Sequence, residues 1–209
     1  MRKIKVGING FGRIGRAFLK VAWDRPEIEI VAVNDLGSVE NMAYLLKYDT
    51  AYGKWKHNNI KHEGEYLIID DKKIKVLAEK DPNKLPWKDL NIDVIVESTG
   101  LFVTYAGAKA HLDAGAKKVV ISAPEKGSDG SVAGETILLG VNEDKFGTCD
   151  ITSNASCTTN AASPLIAILD ETLGIEKAIL NTVHALTNSQ PTVDSINKHN
   201  MREGRAGGH

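Results

Sequence analysis

The most constraining feature of the sequence is a glycine pattern placed between two apolar runs. Ile4, Val6 and Ile8 alternate at period two, so Lys3 to Asn9 reads as a short strand. It runs straight into Gly10-Phe11-Gly12-Arg13-Ile14-Gly15, and an amphipathic segment with Phe18, Leu19 and Ala22 on one side follows as a helix. A second apolar strand, Ile30 to Val33, ends at Asp35, twenty positions past Gly15. A lone Gly-x-Gly-x-x-Gly is weak, but one that follows a strand, opens a helix and is answered by an acidic residue at the next strand's end marks a dinucleotide-binding βαβ unit. Each part has a physical task. Gly10 makes the tight turn, Gly12 lets the backbone approach a pyrophosphate, Gly15 allows close helix–strand packing, and Asp35 accepts hydrogen bonds from ribose hydroxyls. A carboxylate at Asp35 suits the free hydroxyl of NAD and repels the extra phosphate of NADP, so NAD is favoured.

The chain continues as an α/β protein. Asn41 to Tyr48 reads as a helix, and Asn59 to His62, Glu65 to Ile69 and Lys73 to Leu77 as short strands of an antiparallel meander inserted in a parallel sheet. His57 and His62 lie here without a third candidate ligand, so they read as exposed polar histidines rather than a metal site. The apolar stretch Ile92 to Val96 suits a parallel strand covered on both faces. Its end, Glu97-Ser98-Thr99-Gly100, carries the small polar residues that line a ligand crevice. Ala106 to Ala114 reads as a helix, and Val119 to Ile121 as a strand ending at Ser122. Thr136 to Leu139 and Asp150 to Thr152 read as two more short strands.

Next comes Ser153-Asn154-Ala155-Ser156-Cys157-Thr158-Thr159-Asn160. A structural cysteine normally sits among apolar neighbours, whereas Cys157 is flanked by hydroxyls and amides. A helix starting at Cys157 would favour the thiolate through its unpaired N–H groups and dipole. Pro164 leaves two possibilities, a helix that begins at Pro164 with Ser163 as cap, or one that begins near Cys157 and is kinked. Lys177 to Val183 reads as a long strand with His184 at its end, twenty-seven residues after Cys157, and histidine is the usual base for activating a thiol. From Thr187 to His209 the chain is polar, with no apolar period.

Composition excludes several classes. Lys plus Arg number 26 against 27 Asp plus Glu, so a net charge of −1 gives no electrostatic reason to expect nucleic acid or an anionic membrane as partner. No stretch is apolar enough to span a bilayer, and two cysteines, Cys149 and Cys157, make neither a disulfide framework nor a zinc spacing. A cytoplasmic α/β protein is expected.

Taken together, these segments resemble the glyceraldehyde-3-phosphate dehydrogenase family. The resemblance is carried by Ile8 to Arg16, Val33-Asn34-Asp35, Leu45 to Asp49, Glu97 to Gly100, Ile121 to Pro124, Ser153 to Asn160 and Thr182-Val183-His184-Ala185. It implies a doubly wound, mostly parallel Rossmann-type domain over residues 1–156, followed from 157 to 209 by the beginning of an α+β catalytic domain that is incomplete in this chain. It also implies NAD-dependent phosphorylating oxidation of glyceraldehyde 3-phosphate to 1,3-bisphosphoglycerate. Cys157 would attack the aldehyde and His184 would act as base. Arg13 and Ile14 would contact the pyrophosphate through their backbone, and Lys80 would stand near the adenine. Thr99 and Ser122 would line the cofactor cleft. Ser156 and Thr158 would help bind inorganic phosphate, and Thr187 the substrate's own phosphate. The complete protein would be a homotetramer. An erythrose-4-phosphate dehydrogenase shares these motifs, and a cofactor-binding remnant without turnover is the reading from a different class. Departures from the family pattern include Ala161 for a cysteine and Ser189 where an acidic residue is common, and from Pro191 onward the pattern dissolves.

Overall fold

In a computed structural model of the chain, residues 2–127, 129–187 and 190 are described. The chain divides into two units, Met1–Ile168 and Leu169–His209. The first is built on a nine-stranded sheet: β1 (Ile4–Asn9), β2 (Ile28–Asn34), β3 (Ile60–Glu63), β4 (Tyr66–Ile69), β5 (Lys72–Leu77), β6 (Val94–Glu97), β7 (Lys118–Ile121), β8 (Glu135–Thr136) and β9 (Ile151–Ser153). Their spatial order is β3-β4-β5-β2-β1-β6-β7-β9-β8. All neighbouring pairs are parallel except β3–β4 and β4–β5. The antiparallel meander therefore forms one edge of the sheet rather than interrupting it, with β5 carrying the parallel set on to β2.

Helices α1 (Arg13–Ala22), α2 (Val39–Lys47) and α3 (Tyr105–Asp113) cover the sheet. The period-two strands feed two cores. Val6, Ile8, Val33 and Val96 pack with Leu19, Met42 and Leu46 in one. Ala32, Ile95, Val119 and Ile121 pack with Trp87, Tyr105 and Ala108 in the other. Both faces of the parallel strands are thus buried, as parallel sheets require. Ser38 caps α2 by accepting from the Asn41 N–H, and Thr104 caps α3 by accepting from Gly107.

Helix α4 (Cys157–Leu173) begins at Cys157 and runs through Pro164, which settles the choice between the two sequence readings in favour of the earlier start. None of its residues is fully buried. The expected strand over Lys177 to Val183 is not formed: residues 177–183 carry no regular structure and are exposed. A strand needs a neighbour to take its backbone hydrogen bonds, and no described segment pairs with this one. The expectation for Thr136 to Leu139 shrinks to the two-residue β8. His57 is not an exposed polar residue either. Its Nδ1 faces Asp70 and its Nε2 lies 2.9 Å from Asp24 Oδ1, with the ring edge-on to Trp55. The polar tail and Ser189 fall on residues 188–189 and 191–209, outside the described residues. No helix of the described residues is long and apolar enough to cross a membrane.

Candidate cofactor cleft and nucleophile

The strand order reverses at β1, with β2 on one side and β6 on the other, and this is where open parallel sheets form a crevice beyond their carboxyl ends. A cleft of about 310 Å³ lies there, lined among others by Gly10, Gly12, Asp35, Lys80 and Thr99. The three fingerprint glycines play different parts. Gly10 has φ +91°, and a Cβ on it would stand 2.6 Å from the Thr99 nitrogen. A Cβ on Gly15 would stand 2.1 Å from the Gly10 carbonyl oxygen, so α1 can approach the turn only without one. At Gly12 nothing lies within 4 Å of the same position. Gly12 is the N-cap of α1, with no side chain capping the helix. The first-turn N–H groups that a helix leaves without partners belong here to Arg13 and Ile14, both exposed. An open cradle above unpaired N–H groups is an anion site of the kind a pyrophosphate fills.

Asp35 is held rather than free. Its Oδ2 accepts from the Phe11 N–H at 2.7 Å and its Oδ1 from the Gly37 N–H at 2.9 Å, which leaves lone pairs for a diol. Arg16 locks the turn from below by donating to the Phe11 carbonyl at 2.9 Å. Burial pulls its guanidinium below the usual value, with Asp49 acting in the opposite direction. Lys80 is exposed at the rim. Ser122 follows β7 and donates its N–H to the Glu97 carbonyl at 2.9 Å, beyond the residues that line the cleft.

The turn into α4 is fixed by its own polar groups. Ser153 Oγ donates to the Ala123 carbonyl at 2.7 Å and accepts from the Ala155 N–H at 3.0 Å. Ala155 takes a left-handed φ of 56°, a conformation that costs a residue with a Cβ and is kept where surrounding contacts impose it. Ser156 Oγ accepts from the Thr159 N–H at 3.0 Å, and Asn160 Nδ2 donates back to the Asn154 and Ser156 carbonyls at 2.7 and 2.9 Å. Cys157 is the first residue of the helix, exposed and outside any disulfide. Ser156 and Thr158, on either side of it, are half-buried.

Asp35, Gly10, Thr99, Ser122 and Cys157 follow β2, β1, β6, β7 and β9, so they stand in a row along the carboxyl edge in the spatial order of the strands. At about 4.8 Å per strand, β9 lies about 14 Å from β1. A dinucleotide laid along this edge with its pyrophosphate at Gly12 runs toward Cys157 at one end and Asp35 at the other. The groups present therefore fit NAD.

His184 and Thr187 belong to the second unit, and both are exposed. His184 Nδ1 lies 2.6 Å from the Ala185 carbonyl, which can only accept. The Thr187 N–H donates to Gln190 Oε1 at 3.0 Å. Among the described residues no group of three or more His, Cys, Asp and Glu is arranged to hold a metal ion.

Glu97, expected among the residues that line the crevice, is instead buried behind it, and sequence reasoning missed His111 and the bonds that join both to Asn9 and Asn34. Asn9, Asn34, Glu97 and His111 are buried and bonded to one another. Asn9, Asn34 and Glu97 end β1, β2 and β6, and nothing in the sequence signals their bonds to one another or to His111.

Comparison with known proteins agrees with this geometry. Residues 4–105 match the family model described as glyceraldehyde 3-phosphate dehydrogenase, NAD binding domain, and residues 156–209 the one described as its C-terminal domain. The chain is 47% identical over 203 residues to glyceraldehyde-3-phosphate dehydrogenase of Eremothecium gossypii, covering 97% of the chain and 59% of that protein. It is 46% identical over 203 residues to glyceraldehyde-3-phosphate dehydrogenase 1 of Kluyveromyces marxianus, covering 97% and 60%. It is 47% identical over 206 residues to glyceraldehyde-3-phosphate dehydrogenase 2 of Streptomyces avermitilis, covering 97% and 59%. The chain thus spans about three-fifths of the length of these curated relatives.

Proposed function

Because the chain belongs to the glyceraldehyde-3-phosphate dehydrogenase family, we propose that the complete protein oxidises glyceraldehyde 3-phosphate to 1,3-bisphosphoglycerate with NAD and inorganic phosphate, using Cys157 as nucleophile. The observation that carries this reading is the position of Cys157. It opens α4 at the carboxyl edge of the same sheet that holds the cofactor cleft.

The chemistry follows from the residues. The N-terminal dipole of α4 favours the thiolate of Cys157. Its sulfur attacks the aldehyde carbon, and the carbonyl oxygen takes up a proton from solvent to give a hemithioacetal. His184 takes the hydroxyl proton of that adduct, and the hemithioacetal carbon becomes a thioester carbonyl. NAD, when bound, supplies the hydride acceptor for this step. Phosphate then attacks the thioester carbon, releasing the Cys157 thiolate and the acyl phosphate. Ser156 and Thr158 hold the attacking phosphate and Thr187 the phosphate of the substrate. Asp35 holds the adenosine ribose and disfavours NADP, while Arg13 and Ile14 bind the pyrophosphate through their N–H groups. Lys80 lies beside the adenine, and Thr99 and Ser122 line the path between. In this reading the cofactor domain runs to Ser156 and the catalytic domain starts at Cys157. The family also supports a cytoplasmic homotetramer for the complete protein.

The test is Cys157→Ser in the complete protein. Substrate-dependent NADH formation is expected to fall by at least about 10⁴-fold, as when a nucleophile is lost, while NAD affinity is kept. Unchanged turnover would overturn the assignment. Assaying erythrose 4-phosphate beside glyceraldehyde 3-phosphate, with and without phosphate, identifies the aldehyde and the acyl acceptor.

A further inference from the structure

Glu97, the last residue of β6, is buried, and both its carboxylate oxygens are surrounded by donors. Oε1 accepts from the Thr99 N–H at 2.8 Å and from the Thr99 hydroxyl. The Thr99 hydroxyl itself accepts from the Leu101 N–H at 3.0 Å, which fixes its own proton toward Glu97. Oε2 accepts from Asn9 Nδ2 at 2.6 Å and lies 3.0 Å from His111 Nε2. Behind it, Trp87 Nε1 stands 3.0 Å from His111 Nδ1. An indole N–H can only donate, so His111 Nδ1 accepts and its Nε2 carries the proton to Glu97. Ahead of it, Asn9 Oδ1 accepts from Asn34 Nδ2 at 2.7 Å, and Asn34 brackets the backbone of Glu79, accepting from its N–H at 2.9 Å and donating to its carbonyl at 2.8 Å. Asn9, Asn34, Glu79 and Thr99 all line the cleft, whereas Trp87, His111 and Glu97 do not.

We propose that Glu97 and His111 are positioning residues for the dinucleotide. Glu97 ties opposite walls of the cleft, Thr99 on one side and the Asn9–Asn34–Glu79 chain on the other, to one buried point, and His111 orients Glu97 through its Nε2 proton. This rests on the reading of the cleft as an NAD site. Its physical basis is that a buried polar network with every member satisfied fixes one geometry, whereas the loss of one donor leaves its acceptor free to turn. A cleft fixed before binding spares the ligand the cost of ordering its walls.

The two amide replacements of His111 separate positioning from mere stability. The amide nitrogen of Gln reaches the Nε2 position and keeps the donor to Glu97 while giving up the acceptor for Trp87. The amide of Asn reaches only the Nδ1 position and does the reverse. Both variants are expected to lower the thermal midpoint. His111→Asn is expected to weaken NAD binding about tenfold by calorimetry and to speed amide hydrogen exchange at Thr99, while His111→Gln stays within about twofold of the parent in both, since one charge-assisted hydrogen bond carries roughly that factor. Equal NAD affinities and equal Thr99 exchange in the two variants, or a weaker His111→Gln, would overturn the proposal. Thr99 exchange needs no ligand. A parent protein that fails to bind NAD therefore counts against the cofactor reading, while the exchange data still decide whether His111 acts through Glu97.

Discussion

Asp93 draws three parts of the chain to one point. Its carboxylate receives Lys117 Nζ at 2.6 Å, the Lys5 N–H at 3.0 Å and Arg2 Nη2 at 2.7 Å, joining the residue before β6 to the start of β1 and to the turn before β7. The Lys117 bond, with the Lys5 N–H and the nearby charges, holds the carboxyl down to about 2 from an ordinary 3.8. Asp49 is likewise held at about 2, first by the Tyr52 N–H and then by Lys20. A carboxyl with a lower pKa in the folded state binds protons less readily there than in the unfolded chain. Its contribution is therefore present above about pH 4 and is lost as pH falls from about 4 toward 2. Thermal melts across that window are expected to show a steep acid limb. Asp93→Asn should flatten the limb and cost about 1–2 kcal/mol at pH 7, the upper end being reduced by the partial exposure of its lysine and arginine partners. A variant that melts like the parent at both pH 3 and pH 7 would remove Asp93 from this role.

At the scale of elements, the βαβ unit divides its work among glycines that look alike in sequence. Gly15→Ala would drive a methyl into the Gly10 carbonyl and is expected to cost more than about 2 kcal/mol by denaturant unfolding, through overpacking at the α1–β1 junction. Gly12→Ala meets open space and should cost about 1 kcal/mol or less as a changed helix cap, yet fill the cradle and weaken NAD at least about tenfold. The reverse ranking would contradict the assigned geometry. These glycines, Asp35 and Cys157 were legible because their signal is local: a turn between two apolar runs, or a thiol among small polar residues. The meander was legible as three strands but not as an edge, since edge position depends on which strand lies beside β5. Lys177 to Val183 has a strand's pattern but no described partner, and pattern cannot supply one. The Glu97–His111 link was invisible because its members come together from residues 9, 34, 87, 97 and 111. Nothing near His111 in sequence distinguishes it from a helix-surface histidine.

Across the whole molecule, packing quality changes along the chain. From β1 to β9 the apolar residues enter two closed cores, one on each face of the sheet. Among the described residues from α4 onward, none joins either core. Leu165, Ile166, Ile168, Leu169 and Leu173 on the helix are exposed, as are Ile179, Leu180, Val183 and Leu186 after it. Burying side chains of this size is worth roughly 1.5–3 kcal/mol each, so leaving so many in water favours association. The 209-residue chain is therefore expected to self-associate as its concentration rises, with sedimentation velocity showing a growing fast-moving fraction in the micromolar range. Leu165 and Ile168 lie one turn apart on α4, so the double change Leu165→Glu with Ile168→Glu puts two like charges on one face of the helix. It should shift the material toward monomer and leave NAD affinity within about twofold, because neither residue lines the cleft. A parent chain that sediments as a single monomer at every concentration would mean that these side chains find cover within the chain itself.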